Sequence, residues 1–128
     1  MSLTPPQLVA EAMAQIKQID IPGTSTHLAE GGAVIDVREP GEYLTGHVPG
    51  AVNIPRGVLE FKIGDNTALA NKDQPIVLYC KTGGRAALSA VNLQRMGYAQ
   101  VRSLTGGFDG WVSGGQKVET EPETTRFG

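Results

Sequence analysis

The chain has 128 residues, 13 acidic and 11 basic side chains, a net charge of −2 and a pI near 5.6. That length suits one domain able to bury a core without disulfides or metal staples, and the slightly acidic balance argues against a nucleic-acid-binding surface. A single cysteine excludes an internal disulfide, a CxxC redox pair and a Cys-based zinc site, and His27 and His47 are too few for a metal cluster.

From the N-terminus, Met1 to Pro5 has no basic region followed by an apolar stretch, and no later run approaches the roughly 20 apolar residues of a membrane span. The expectation is a cytoplasmic protein without metal or cofactor, binding neither nucleic acid nor membrane. Thr4-Pro5-Pro6-Gln7 has the form of a capping box with proline at the first helical position. Leu8, Val9, Ala12, Met13 and Ile16 follow at helical spacing and predict an amphipathic helix over 5–17. A short strand is expected at Ile19 to Ile21, then a helix from about Ser25 to Glu30, closed by Gly31-Gly32. Ala33 to Val37 is a strand, Pro40 to Leu44 a helical turn, and Ala51 to Ile54 a strand stopped by Pro55. Residues 58–70 stay ambiguous between helix and loop, since Gly64-Asp65-Asn66 interrupts the apolar pattern. Ile76 to Tyr79 is the fourth strand. The helix after it lines up Ala86, Ala90, Leu93 and Gly97, with Gly97 a suitable cap. Val101 to Leu104 is the fifth strand and Phe108 to Val112 the last helical turn. From Gly114 the chain turns polar and reads as a loosely held tail.

Cys80 is the most informative position. It stands where the apolar run Ile76 to Tyr79 ends and Lys81-Thr82-Gly83-Gly84-Arg85 leads into a helix. A thiol on a strand-to-helix turn faces backbone N–H groups and the positive end of a helix dipole. Such surroundings favour the thiolate, which is the nucleophile. Apolar strands alternating with helices imply a mostly parallel sheet covered on both faces. Ligands in such sheets bind beyond the carboxyl ends of the strands. Asp36 to Glu39, Arg56, and Cys80 to Arg85 all follow strands and would meet on that rim.

Three stretches carry a family resemblance. Val34 to Tyr43 (VIDVREPGEY), with Gly46 to Ala51 (GHVPGA) and Asn53 to Pro55 (NIP), closely resembles the first half of the rhodanese domain. Tyr79 to Ala86 (YCKTGGRA) resembles its active-site loop, and Leu104 to Trp111 (LTGGFDGW) is similar to its last motif. The resemblance spans 18–118, preceded by an N-terminal helical segment, 1–17, and followed by a polar tail, 119–128. It implies a single-domain, rhodanese-like three-layer α/β fold, with a mostly parallel five-stranded sheet and helices on both faces. It also implies a sulfurtransferase that carries sulfane sulfur as a persulfide on Cys80.

Both the thiolate and the persulfide are anions at one place, so fixed N–H donors suit them and a general base is not essential. Lys81, Thr82, Gly83, Gly84 and Arg85 are the expected anion-binding loop, with Gly83-Gly84 permitting the backbone it requires and Arg56 as a further donor-binding cation. Asp36 and Arg38 are expected to orient the loop by ion pairing. His47 is read as a structural hydrogen-bonder, His27 as a surface residue, Tyr43 and Trp111 as packing, and Gly106-Gly107 as a backbone turn, with a wall of the pocket as the alternative. Phosphatases of the resembling fold use C-x5-R, whereas Cys80 to Arg85 is C-x4-R, the form associated with sulfur transfer. The expected partners are a small sulfur-donor anion such as thiosulfate and an acceptor: cyanide, a small thiol or a protein. The alternative is a non-catalytic carrier that hands persulfide to a partner protein.

Overall fold

In the computed structural model, which describes residues 2–121, five strands form one sheet in which every pairing is parallel. They are β1 (Lys17–Ile19), β2 (Ala33–Asp36), β3 (Val52–Asn53), β4 (Pro75–Tyr79) and β5 (Gln100–Leu104). Their spatial order is β1-β5-β4-β2-β3, so β4 is central and the residue after it emerges mid-sheet. The helices are α1 (Pro5–Gln15), α2 (Ile21–Ala29), α3 (Pro40–Thr45), α4 (Leu59–Lys62), α5 (Gly84–Arg95) and α6 (Gly107–Ser113).

Alternation along β4 divides the core. Ile76, Leu78 and Cys80 join Ile35, Leu59, Ala90 and Leu93 on one face, beneath α4 and α5. Val77 and Tyr79 join Val34, Leu104 and Trp111 on the other, with Leu28 of α2, Tyr43 of α3 and Phe108 of α6. Helix α5 buries Ala86, Ala87, Ala90 and Leu93. Its small residues let the start of the helix lie close to the end of β4. Helix α1 packs on the outer side of α5, and Gly84 faces Val9. The capping box forms as the sequence predicts: Gln7 N–H donates to Thr4 Oγ1 and Thr4 N–H to Gln7 Oε1.

The boundaries differ where a cap outweighs periodicity. Asp20 accepts the Gly23 N–H at 2.7 Å and Pro22 occupies the first turn, so α2 starts at Ile21 rather than near Ser25. The first strand accordingly lies at Lys17–Ile19, two residues earlier than expected, and ends α1 at Gln15. The ambiguous stretch becomes a 3-10 turn at Arg56–Val58, α4, and a second 3-10 turn at Ile63–Asp65; it buries Leu59, Ile63 and Leu69. His27 is not merely a surface residue. Its ring covers Gly32 and its Nε2 lies 2.7 Å from the Ala33 carbonyl, closing the α2–β2 turn.

The segment after Gly114 is not loosely held as far as residue 121. Trp111 Nε1 donates to the Lys117 carbonyl, His47 and Glu119 exchange backbone hydrogen bonds at 2.8 and 2.9 Å, and Glu121 N–H reaches the Leu44 carbonyl. The rest of the expected tail lies outside the described residues. Its polar composition hid this docking, because the contacts are backbone bonds that no hydrophobic pattern announces.

Candidate active site

Cys80 follows the last residue of β4 and is 1 % exposed, while its neighbours Lys81 and Thr82 are exposed. The chain then folds over the sulfur. Gly83, at φ +147°, turns its N–H back to donate to Cys80 Sγ at 3.1 Å. A side chain at that φ is strained, so the turn requires glycine. Helix α5 begins at the next residue, and its first-turn N–H groups have no carbonyl partners within the helix. A buried sulfur therefore accepts the Gly83 N–H at the positive end of a twelve-residue helix.

Gly106-Gly107 does more than turn the chain. Gly107, at φ +58°, approaches the loop so closely that an added Cβ would lie 2.6 Å from the Lys81 carbonyl oxygen and 2.7 Å from that of Cys80. This contact lets Phe108 N–H donate to the Cys80 carbonyl at 2.8 Å and Asp109 N–H to that of Lys81 at 3.0 Å. The start of α6 thus holds the back of the loop.

A buried strut supports the same region. Arg38 is bound to Asp36 through Nε at 3.0 and 3.1 Å and Nη2 at 2.7 Å, and Nη2 also donates to the Gly46 carbonyl. Burial opposes the charge of Arg38, but its hydrogen bonds to Asp36 and that residue's charge outweigh it and raise the pKa. The guanidinium carbon lies 4.3 Å from the centre of the Phe108 ring. Asp36 and Arg38 therefore reach the loop through Phe108 and β4 and form no ion pair with loop residues. Burial, followed by the charge of Asp36, also pushes the Tyr79 hydroxyl well up, and that oxygen accepts the Val48 N–H.

The loop's two cations are both engaged. Lys81 Nζ lies 2.9 Å from Asp109 Oδ2, and Arg85 binds both carboxylate oxygens of Glu42 at 2.7 and 3.1 Å. The Arg85 hydrogen bonds lower the pKa of Glu42 to about 2. That of Arg85 is raised, first by Glu42 and to a lesser degree by the charge of Cys80. Thr82, Gly83 and Gly84 lie in the loop as the sequence places them. Arg56 does not join it. It lines a cavity of about 410 Å³ between α1 and α5, with Leu8, Glu11, Leu88 and Arg95. Among the described residues it makes no hydrogen bond or ion pair to the loop, because the 3-10 turn after Pro55 carries it toward α1. His47 is buried, stacks on Tyr43 with ring centres 3.8 Å apart, and bonds the Val48 carbonyl and Glu121. Among the described residues, no group of three or more His, Cys, Asp or Glu side chains could hold a metal.

Sequence reasoning did not foresee the pairing of Glu42 with Arg85 or the contacts of Phe108 and Asp109 with the loop. An arginine in the first turn of a helix opposes the dipole and so asks for a carboxylate partner. That conflict was the local signal for the pairing.

The fold and site define an α/β protein with one thiol at the centre of a parallel-sheet rim, enclosed by a glycine loop. Residues 23–114 match the rhodanese-like domain family, and the chain belongs to it. It is 31 % identical over 101 residues to the thiosulfate sulfurtransferase GlpE of Pseudomonas entomophila, spanning 79 % of this chain and 89 % of that one. The human single-domain sulfurtransferase TSTD1 superposes with a TM-score of 0.68 at 26 % identity, over 75 % of this chain and 95 % of that one. A Rhodopseudomonas palustris protein of unknown function, described as a possible tyrosine phosphatase, superposes with a TM-score of 0.80 at 29 % identity, over 93 % and 96 %.

Proposed function

We propose that the protein is a sulfurtransferase that carries sulfane sulfur on Cys80. The observation that supports this most directly is the Gly83 N–H aimed at Sγ at 3.1 Å, beneath a loop that opens a helix. The same donors serve the thiolate before transfer and the persulfide after it. The thiolate attacks the outer sulfur of a donor such as thiosulfate. The donor S–S bond breaks, sulfite leaves with the bonding pair, and Cys80–S–S⁻ remains. An acceptor, cyanide or a thiol, then attacks the outer sulfur and the Cys80 thiolate leaves. No proton need move in the first step, which agrees with the engagement of His47 elsewhere.

Burial of Sγ fits a donor that presents a single terminal sulfur atom. Persulfidation moves the reactive atom one S–S bond, about 2 Å, beyond Sγ. The named relatives support the reading at the level of a rhodanese-type sulfurtransferase. A reducing compartment such as the cytoplasm keeps a lone thiol available.

The test is steady-state transfer from thiosulfate to cyanide. Turnover abolished by Cys80→Ser supports an enzyme. Wild-type turnover no higher than that of Cys80→Ser, with Cys80 still accepting sulfur from a desulfurase, would make the protein a carrier instead. The phosphatase description of one structural neighbour gives a contrary outcome: Cys80-dependent phosphate release from an aryl phosphate. The binding of Arg85 to Glu42 argues against that chemistry, since it occupies the guanidinium a phosphate would need.

A further inference from the structure

Each of the loop's side-chain cations is paired with a carboxylate, Arg85 in a half-buried pair and Lys81 in a solvent-exposed one. Glu42 meets Arg85 with both oxygens, and its Oε1 also accepts the Glu39 N–H at 3.0 Å, so the carboxylate is fixed from α3 as well as from α5. Asp109 meets Lys81 with its side chain, and its N–H bonds the Lys81 carbonyl. Two cations beside Cys80 are thus balanced by two carboxylates, each held by its own backbone. What remains to attract an anion is the partial charge of backbone N–H groups and the α5 terminus, roughly half an elementary charge. A thiolate already occupies that field. A dianionic donor would gather three negative charges there, and a monoanionic donor two.

We propose that Glu42 and Asp109 are specificity-determining residues that leave the mouth of the site without net side-chain charge and so favour monoanionic sulfane-sulfur donors over dianionic thiosulfate. The favoured class includes thiosulfonates and the persulfides of small or protein thiols. The inference rests on the sulfurtransferase reading. For a thiosulfonate, the Cys80 thiolate attacks the terminal sulfur, the S–S bond breaks, a sulfinate leaves with the electron pair and Cys80–S–S⁻ forms.

Thiosulfate and methanethiosulfonate present the same terminal sulfur and differ by one charge, so they isolate the effect. Both are assayed with cyanide as acceptor, over a range of ionic strength, for wild type, Glu42→Gln, Asp109→Asn and the double variant. Glutamine keeps an oxygen for the Glu39 N–H. The ratio of kcat/KM for thiosulfate to that for methanethiosulfonate is expected to rise about 3–10-fold in Glu42→Gln, the scale of one nearby charge acting on the extra charge of the donor. It should rise further in the double variant. In both, the ratio should fall as salt is added, whereas in wild type, where the thiolate repels the extra charge, it does not fall. A merely structural role would lower both activities together and leave the ratio unmoved. An unchanged or reduced ratio in an active protein overturns this inference alone. A wild type that takes sulfur from neither donor overturns the proposed function with it. If Glu42→Gln does not fold, Asp109→Asn decides the question, because its pair with Lys81 lies in solvent.

Discussion

Replacing Gly107 with alanine tests whether α6 holds the Cys80 loop in place. The new Cβ would stand 2.6 to 2.8 Å from backbone atoms of Cys80 and Lys81, which no side-chain rotation relieves. A residue other than glycine at φ +58° costs a further ~1–3 kcal/mol. If α6 retreats to clear the overlap, the Phe108-to-Cys80 and Asp109-to-Lys81 hydrogen bonds lengthen, each contributing about 1 kcal/mol. Together these predict a loss of roughly 3–5 kcal/mol in urea unfolding and a Tm lower by about 10–20 °C. Sulfur transfer should fall in the fraction that remains folded, because the loop loses its backing. Gly64→Ala is the control: its Cβ meets nothing within 4 Å and its φ is not positive, so stability should change little. A Gly107→Ala protein within about 0.5 kcal/mol of wild type, with full activity, would refute the close-approach reasoning.

Gly83→Ala has open space at its Cβ, so strain at φ +147° is its main structural cost, about 1–3 kcal/mol. Displacing an N–H bound to a charged sulfur, worth about 1.5–3 kcal/mol, should lower kcat/KM about 10–100-fold; steady-state kinetics on the folded variant measures it. Arg38→Ala leaves Asp36 buried without its partner and should cost about 3–5 kcal/mol in denaturant unfolding. The Arg38→Ala/Asp36→Ala double variant should recover part of that loss. The pH dependence of stability follows from Glu42, whose folded pKa of about 2 lies below its ordinary 4.5. Its contribution is present above about pH 4.5 and is lost as pH falls toward 2. With a partly exposed pair the contribution is about 1 kcal/mol, so Glu42→Gln should be less stable than wild type at neutral pH by that amount. The two should converge near pH 2 in acid-unfolding titrations.

The parallel sheet and the position of Cys80 were legible because they rest on apolar runs and turn residues, which are local signals. Ile76 to Tyr79 is a short apolar run bounded by turn residues, and Gly83-Gly84 marks the loop. The glycine pair at 106–107 was visible as a turn, but its contact with Cys80 and Lys81 joins elements 26 residues apart and leaves no periodic trace. Arg56 follows β3 as strand order predicts, but a 3-10 turn after Pro55 carries it toward α1, a local turn that the strand pattern does not announce. Likewise the binding of Arg85 to Glu42 crosses 43 positions. That pairing ties Arg85, at the start of α5, to a carboxylate of α3.

Intact-mass measurement after incubation of the reduced protein with excess thiosulfate or methanethiosulfonate tests the role of Cys80 most directly. A covalent carrier gains one sulfur atom, about 32 Da, loses it on addition of cyanide, and shows no gain as Cys80→Ser. A wild-type mass unchanged by both donors, with the thiol reduced and the protein folded, would contradict sulfur carriage on Cys80.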